Sequence, residues 1–127
     1  MAQKTHAMRL LDARGIAYTV REYDASGAFH SGEDAAALLG VDAASVYKTL
    51  VVLREATPKL RPLMCVIPVA AQADLKAIAR VAGEKKVRMA TQREAEQMTG
   101  MQVGGISALA LQKPGFTVLL DATAQAL

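Results

Sequence analysis

Apolar and polar positions along the chain switch between helical and strand spacing, and the switches mark the elements. After Thr5, the residues Ala7, Met8, Leu10 and Leu11 recur at helical spacing up to Arg14, and Gly15 stops the pattern. Ile16, Tyr18 and Val20 then alternate, which predicts a first strand to Tyr23. Asp24 to Ser31 is a small-residue loop, and a short helix follows from Gly32 to Leu39, closed by Gly40. A turn from Asp42 delivers the chain into an apolar strand, Val46 to Leu53. Arg54 to Arg61, which holds Pro58, predicts a hairpin connection to a second apolar strand, Pro62 to Pro68. Leu75, Ile78, Ala79 and Ala82 form the stripe of a helix from Asp74 to Ala82, ended by Gly83. Val87 to Ala90 is a short strand, and Thr91 with Glu94 has capping-box spacing for a helix to Thr99. A glycine-containing loop, Gly100 to Ala108, and a strand at Phe116 to Asp121 complete the pattern. Helices and strands mix without strict βαβ alternation, so the expectation is an α+β domain with a curved, mixed sheet.

One position breaks the strand pattern. In Val46-Tyr47-Lys48-Thr49-Leu50-Val51-Val52-Leu53, the residues Val46, Lys48, Leu50 and Val52 share one face. An ammonium within a row of aliphatics needs a partner, a lowered pKa or a ligand, because burying it alone is costly. Spacing also fits a strand-edge lysine whose stem lies on apolar surface while its head reaches water.

Composition narrows the function classes. With 127 residues, 52% hydrophobic and 21% charged, the chain reads as one globular domain over residues 1–127. Aromatic residues are only 4% and tryptophan is absent, which argues against a stacking platform for single-stranded nucleic acid. A net charge of +3, from 15 basic and 12 acidic residues, is compatible with a polyanionic partner without demanding one. Cys65 is the single cysteine, so no internal disulfide framework exists. The N-terminus lacks a signal core and no apolar run approaches a membrane helix, so the expected location is cytoplasmic.

Candidate chemistry concentrates in the loop Thr99-Gly100-Met101-Gln102-Val103-Gly104-Gly105-Ile106-Ser107. Its glycines allow close backbone approach and successive N–H donors, which can hold a carbonyl oxygen or a developing oxyanion. They also serve a simple tight turn. No Gly-Lys-Ser/Thr closes it as a P-loop. His6 and His30 are isolated and do not form metal-ligand spacing with Cys65, so neither a metal nor another cofactor is expected. Cys65, within Leu63-Met64-Cys65-Val66-Ile67, reads as a small core residue, and Ser107 lacks the elbow of a triad nucleophile. The basic run Lys76, Arg80, Lys85, Lys86 and Arg88 is either a phosphate-contacting face or an ordinary solvated one.

Four segments together carry a family resemblance: Val46-Tyr47-Lys48-Thr49-Leu50, Val69 to Lys76, Lys85 to Ala90, and Thr99-Gly100 through Val103-Gly104-Gly105-Ile106-Ser107. In this order and over nearly the whole chain, they resemble the YbaK/EbsC family of aminoacyl-tRNA deacylases, relatives of the prolyl-tRNA synthetase editing domain. The resemblance implies a barrel-like mixed sheet surrounded by helices, and cleavage of the ester joining a wrong amino acid to tRNA, typically tRNA(Pro). It implies that Lys48 is the functional lysine and that Gly104, Gly105, Ile106 and Ser107 form the loop holding the aminoacyl end. It places Tyr23 and Phe29 near aromatic pocket positions. The implied partner is the 3′ aminoacyl end of mischarged tRNA, with Cys-tRNA(Pro) and Ala-tRNA(Pro) as candidates. Prolyl-tRNA synthetase and a second copy in a homodimer are further partners that the family admits. Family members continue beyond the position of Leu127, so the chain is expected to lack their C-terminal segment.

The expected mechanism needs little machinery, since an activated aminoacyl ester hydrolyses readily. Amides of Gly104 and Gly105 would stabilise the carbonyl oxygen, and Lys48 would contact the acyl carbonyl or the terminal ribose and phosphate. The attacking group would be water or, for a cysteinyl ester, the substrate thiol. The competing class is a non-catalytic module that binds aminoacyl-tRNA or a synthetase.

Overall fold

The computed structural model describes residues 4–22, 32–56, 61–101, 106–109 and 116–127. Helix α1 (His6–Ala13) starts where the Thr5 hydroxyl accepts the Met8 N–H, and it ends at Gly15, whose φ of +67° favours glycine. Helix α2 (Gly32–Leu39) buries Ala35 and Ala36, and a short 3-10 turn (Ala43–Ser45) capped by Asp42 leads into the sheet. Strands β1 (Tyr47–Arg54) and β2 (Leu63–Pro68) pair antiparallel from Tyr47 opposite Pro68 to Val52 opposite Leu63. Helix α3 (Leu75–Ala82) is opened by Asp74, whose carboxylate accepts the Ala77 N–H, and is closed by Gly83 at φ +72°. Strand β3 (Val87–Met89) pairs antiparallel with the end of β1. Helix α4 (Gln92–Thr99) has the predicted capping box of Thr91 and Glu94. Strand β4 (Thr117–Leu120) pairs parallel with β2, and a final 3-10 turn (Ala122–Ala126) follows.

The sheet order is β3-β1-β2-β4, mixed and, among the described strands, open. The α+β expectation is therefore met. Two cores use its two faces. On one, Val52, Leu63, Cys65 and Val87 pack against Leu75, Ile78 and Ala79 of α3. On the other, Val51 and Leu53 pack against Ala95 of α4, with Ala90 and Ile106 alongside. Val52, Leu63 and Met64 are fully excluded from water, and each such side chain contributes on the order of 2 kcal/mol by burial.

The strand expected from Ile16 to Tyr23 does not form over its described part, 16–22. Alternation makes a strand only when the segment pairs with a neighbouring strand, and local hydrogen bonds can compete with that pairing. Here the Ile16 N–H is taken by the Leu11 carbonyl at 3.0 Å, which folds the chain back on α1. Ile16 and Val20 remain about half exposed, so neither face of the segment is buried.

Candidate active site

Lys48 is the second residue of β1 and stands opposite Ile67 of β2. The strand start is anchored by the Val69 N–H, which donates to the Val46 carbonyl at 2.8 Å. Unbroken register places Lys48 on the same sheet face as Leu50 and Val52, the face that packs against α3. Lys48 is partly buried. Among the described residues its ammonium makes neither an ion pair nor a hydrogen bond.

Next to it, the Tyr47 hydroxyl and the Thr123 hydroxyl share a hydrogen bond of 2.7 Å across 76 positions of sequence. Thr123 is itself held by the Asp121 carboxylate, which lowers the Asp121 pKa below the usual carboxylate value. The Asp121 N–H donates to the Val66 carbonyl at 2.9 Å. The end of the described chain thus braces the β1 end that carries Lys48. Sequence reading missed these residues, although Asp121 two positions before Thr123 is a capping spacing that could have flagged the turn.

Beside this region, α3 and β4 enclose a groove of about 440 Å³ lined by Cys65, Ile67, Gln72, Ile78, Leu119 and Asp121. Ile67, the cross-strand neighbour of Lys48, forms part of its wall. Cys65 is buried at 2% exposure, and burial pushes its thiol up to about 11. It behaves as a core residue, as its sequence context predicts.

The other predicted residues divide. Ile106 packs with Val51 and Leu53 on the sheet face opposite to that of Lys48. Ser107 is partly buried, and its hydroxyl accepts the Leu109 N–H at 3.2 Å, the bond of a local turn. Tyr23, Phe29, Gly104 and Gly105 lie outside the described residues. Of the basic run, Arg88 is committed to Glu94 at 2.8 and 2.9 Å, and Lys86 reaches Glu55 at 3.7 Å. Among the described residues no three His, Cys, Asp or Glu side chains group as metal ligands. No described helix is long and apolar enough to cross a membrane.

A mixed four-strand sheet with helices on both faces and a lone lysine at a strand end defines an α+β domain class rather than an activity. The family model of the aminoacyl-tRNA editing domain matches residues 27–127. The chain belongs to that family, and its activity class is the hydrolysis of aminoacyl-tRNA esters. A relative from Enterococcus faecalis, named "Putative Cys-tRNA(Pro)/Cys-tRNA(Cys) deacylase EbsC", is 34% identical over 123 residues, covering 97% of this chain and 73% of its own. The crystal structure of a hypothetical protein, APE2540, superposes with a TM-score of 0.75 at 28% identity, over 92% of this chain and 73% of that one. A structure described as "a putative trans-editing enzyme for prolyl tRNA synthetase" superposes with a TM-score of 0.77 over 99% of this chain and 78% of that one; at 24% identity it is a match of fold.

Proposed function

We propose that residues 1–127 act as one editing unit that removes cysteine or alanine from mischarged tRNA(Pro), in trans to the synthetase. The observation that carries the substrate choice is the 34% identity to a relative named for Cys-tRNA(Pro) and Cys-tRNA(Cys). Lys48 is assigned to the acyl carbonyl or the terminal ribose and phosphate. What supports it is a partly buried lysine, on an apolar strand face, that has no charge partner among the described residues. Amides of Gly104 and Gly105 are assigned to the oxyanion, with Ile106 and Ser107 continuing that loop and Tyr23 and Phe29 lining the amino-acid pocket.

In the proposed reaction the attacking oxygen of water bonds to the acyl carbon. The ester C–O bond then breaks, and the proton passes to the departing ribose oxygen. For a cysteinyl ester, the substrate's own thiol sulfur can bond to the acyl carbon instead; the ester C–O bond breaks, the thiol proton passes to the ribose oxygen, and water then opens the released cyclic thioester to cysteine. A positive charge beside the developing oxyanion matters more in the transition state than in the bound ester, so Lys48 raises the rate rather than the affinity.

The test is a panel of tRNA(Pro) charged with cysteine, alanine or serine, hydrolysed by wild type and by Lys48→Ala. The expected result is release of cysteine or alanine, with kcat/KM about 100-fold lower in the variant. Unchanged turnover in Lys48→Ala removes the lysine from the site. Binding of charged tRNA without hydrolysis by wild type replaces the enzyme with a binding module.

A further inference from the structure

The five basic residues from Lys76 to Arg88 are not equivalent in the folded protein. Arg88 is held by Glu94, and Lys86 lies 3.7 Å from Glu55. Lys76, Arg80 and Lys85 are exposed and form no ion pair among the described residues. Lys76 and Arg80 are four apart on α3, so they sit on one face of the helix, about 6 Å apart along its axis. That face lies away from the stripe of Leu75, Ile78, Ala79 and Ala82 that packs on the sheet. No acidic residue occurs within α3. The next acid along the chain, Glu84, reaches Arg54 at 3.4 Å.

Like charges at this spacing repel, and within α3 no carboxylate offsets them. A one-sign ridge of this kind suits a polyanion. Its position matters as well, because α3 covers the sheet face on which the register places Lys48. Resting on the deacylase reading above, we infer that Lys76 and Arg80, with Lys85 in the turn that follows Gly83, form a phosphate-binding ridge for the tRNA backbone while the aminoacyl end is delivered to the Lys48 side of the sheet. The ridge contacts phosphates and reads no bases, so it contributes affinity and salt dependence, not the choice of amino acid.

The experiment uses the whole chain carrying K76Q, R80Q and K85Q together, and a charge-matched control carrying R9Q, R14Q and R21Q. All six positions are exposed. Binding of uncharged tRNA(Pro) is followed by fluorescence anisotropy across a salt series, and hydrolysis is followed on charged tRNA(Pro) and on a short aminoacylated CCA oligonucleotide. The ridge variant should bind tRNA roughly tenfold or more weakly, with its log Kd against log salt slope reduced by about 2. It should hydrolyse the oligonucleotide as wild type does. Equal losses in the ridge variant and the control, an unchanged salt slope, or no tRNA binding by wild type each overturn the inference. Because anisotropy uses uncharged tRNA, a failure of the deacylase reading appears separately, as absent hydrolysis with binding intact.

Discussion

Replacing Arg54 by methionine tests a side chain that ties three segments of the sheet together. Its guanidinium donates to the Arg61 carbonyl at 3.1 Å and to the Thr117 hydroxyl at 3.1 Å, and it meets the Glu84 carboxylate at 3.4 Å. The two side chains of the ion pair are 10% and 9% exposed. At an effective dielectric near 20, charges at this distance attract by about 5 kcal/mol. Most of that is offset by the cost of desolvating both groups, so the pair itself adds little net stability. Removing one partner is a different matter, since it strands the other charge, and such changes cost about 3–5 kcal/mol. Glu84 has a further interaction, which argues for the lower end, about 3 kcal/mol. For a domain of this size that is a fall in Tm of roughly 10 °C, measured by circular dichroism and checked by urea titration. Adding Glu84→Gln to Arg54→Met removes the stranded charge and should restore at least about 1 kcal/mol. If Arg54→Met alone lies within about 1 kcal/mol of wild type, or the two losses simply add, the stranded-charge argument is wrong.

Two other groups give cheap checks. Cys65, buried and with its thiol pushed up to about 11, should react with a thiol reagent at pH 8 about two orders of magnitude more slowly in the native protein than in urea; complete native labelling within the mixing time would contradict its burial. Glu94 is held down to about 2, first by its bond to Arg88 and then by the Thr91 N–H. A carboxylate depressed in the folded state stabilises above its unfolded pKa, and that contribution is lost as pH falls from about 4.5 toward 2. The stability gap between wild type and Glu94→Gln should therefore be full at pH 7 and shrink across that window, and a gap constant with pH would refute the assignment.

The parts of the fold that were legible carry their signal locally. Asp74 and Gly83 bracket α3, Thr91 and Glu94 open α4, and both helices begin and end where those residues require. The β1–β2 hairpin follows from two apolar runs flanking a turn segment. What sequence could not supply is partnership between distant segments. Ile16 to Val20 alternates as a strand does, but it pairs with no described strand, and the Leu11 carbonyl takes its first amide. Conversely, the parallel pairing of Leu63–Val66 with Thr117–Leu120 has no local signature, because each strand would look the same beside any neighbour. The bond between Tyr47 and Thr123 is illegible for the same reason. The position of Lys48 in a strand was readable, whereas its separation from Ile106 by the thickness of the sheet emerges only from register and packing.

That register also sharpens the argument about Lys48. Strand β1 carries two cations on the α3 face, Lys48 and Arg54, six residues apart near its two ends. Both residues are partly shielded on the same face, and the further such a charge is drawn from water the more it must be compensated. Arg54 is compensated three times over, by a carboxylate, a carbonyl and a hydroxyl. Its planar fork suits that task, holding β1 to the segment before β3, to Arg61 and to β4. Lys48 has no such set among the described residues, and its ammonium is a compact point charge on a flexible stem. A structural role for Lys48 would require fixed acceptors of the kind Arg54 has. A role toward a ligand that arrives with its own carbonyl and phosphate oxygens requires none. On that ground a Lys48→Met substitution should leave Tm within roughly 2 °C of wild type while hydrolysis falls, the reverse of what Arg54→Met does.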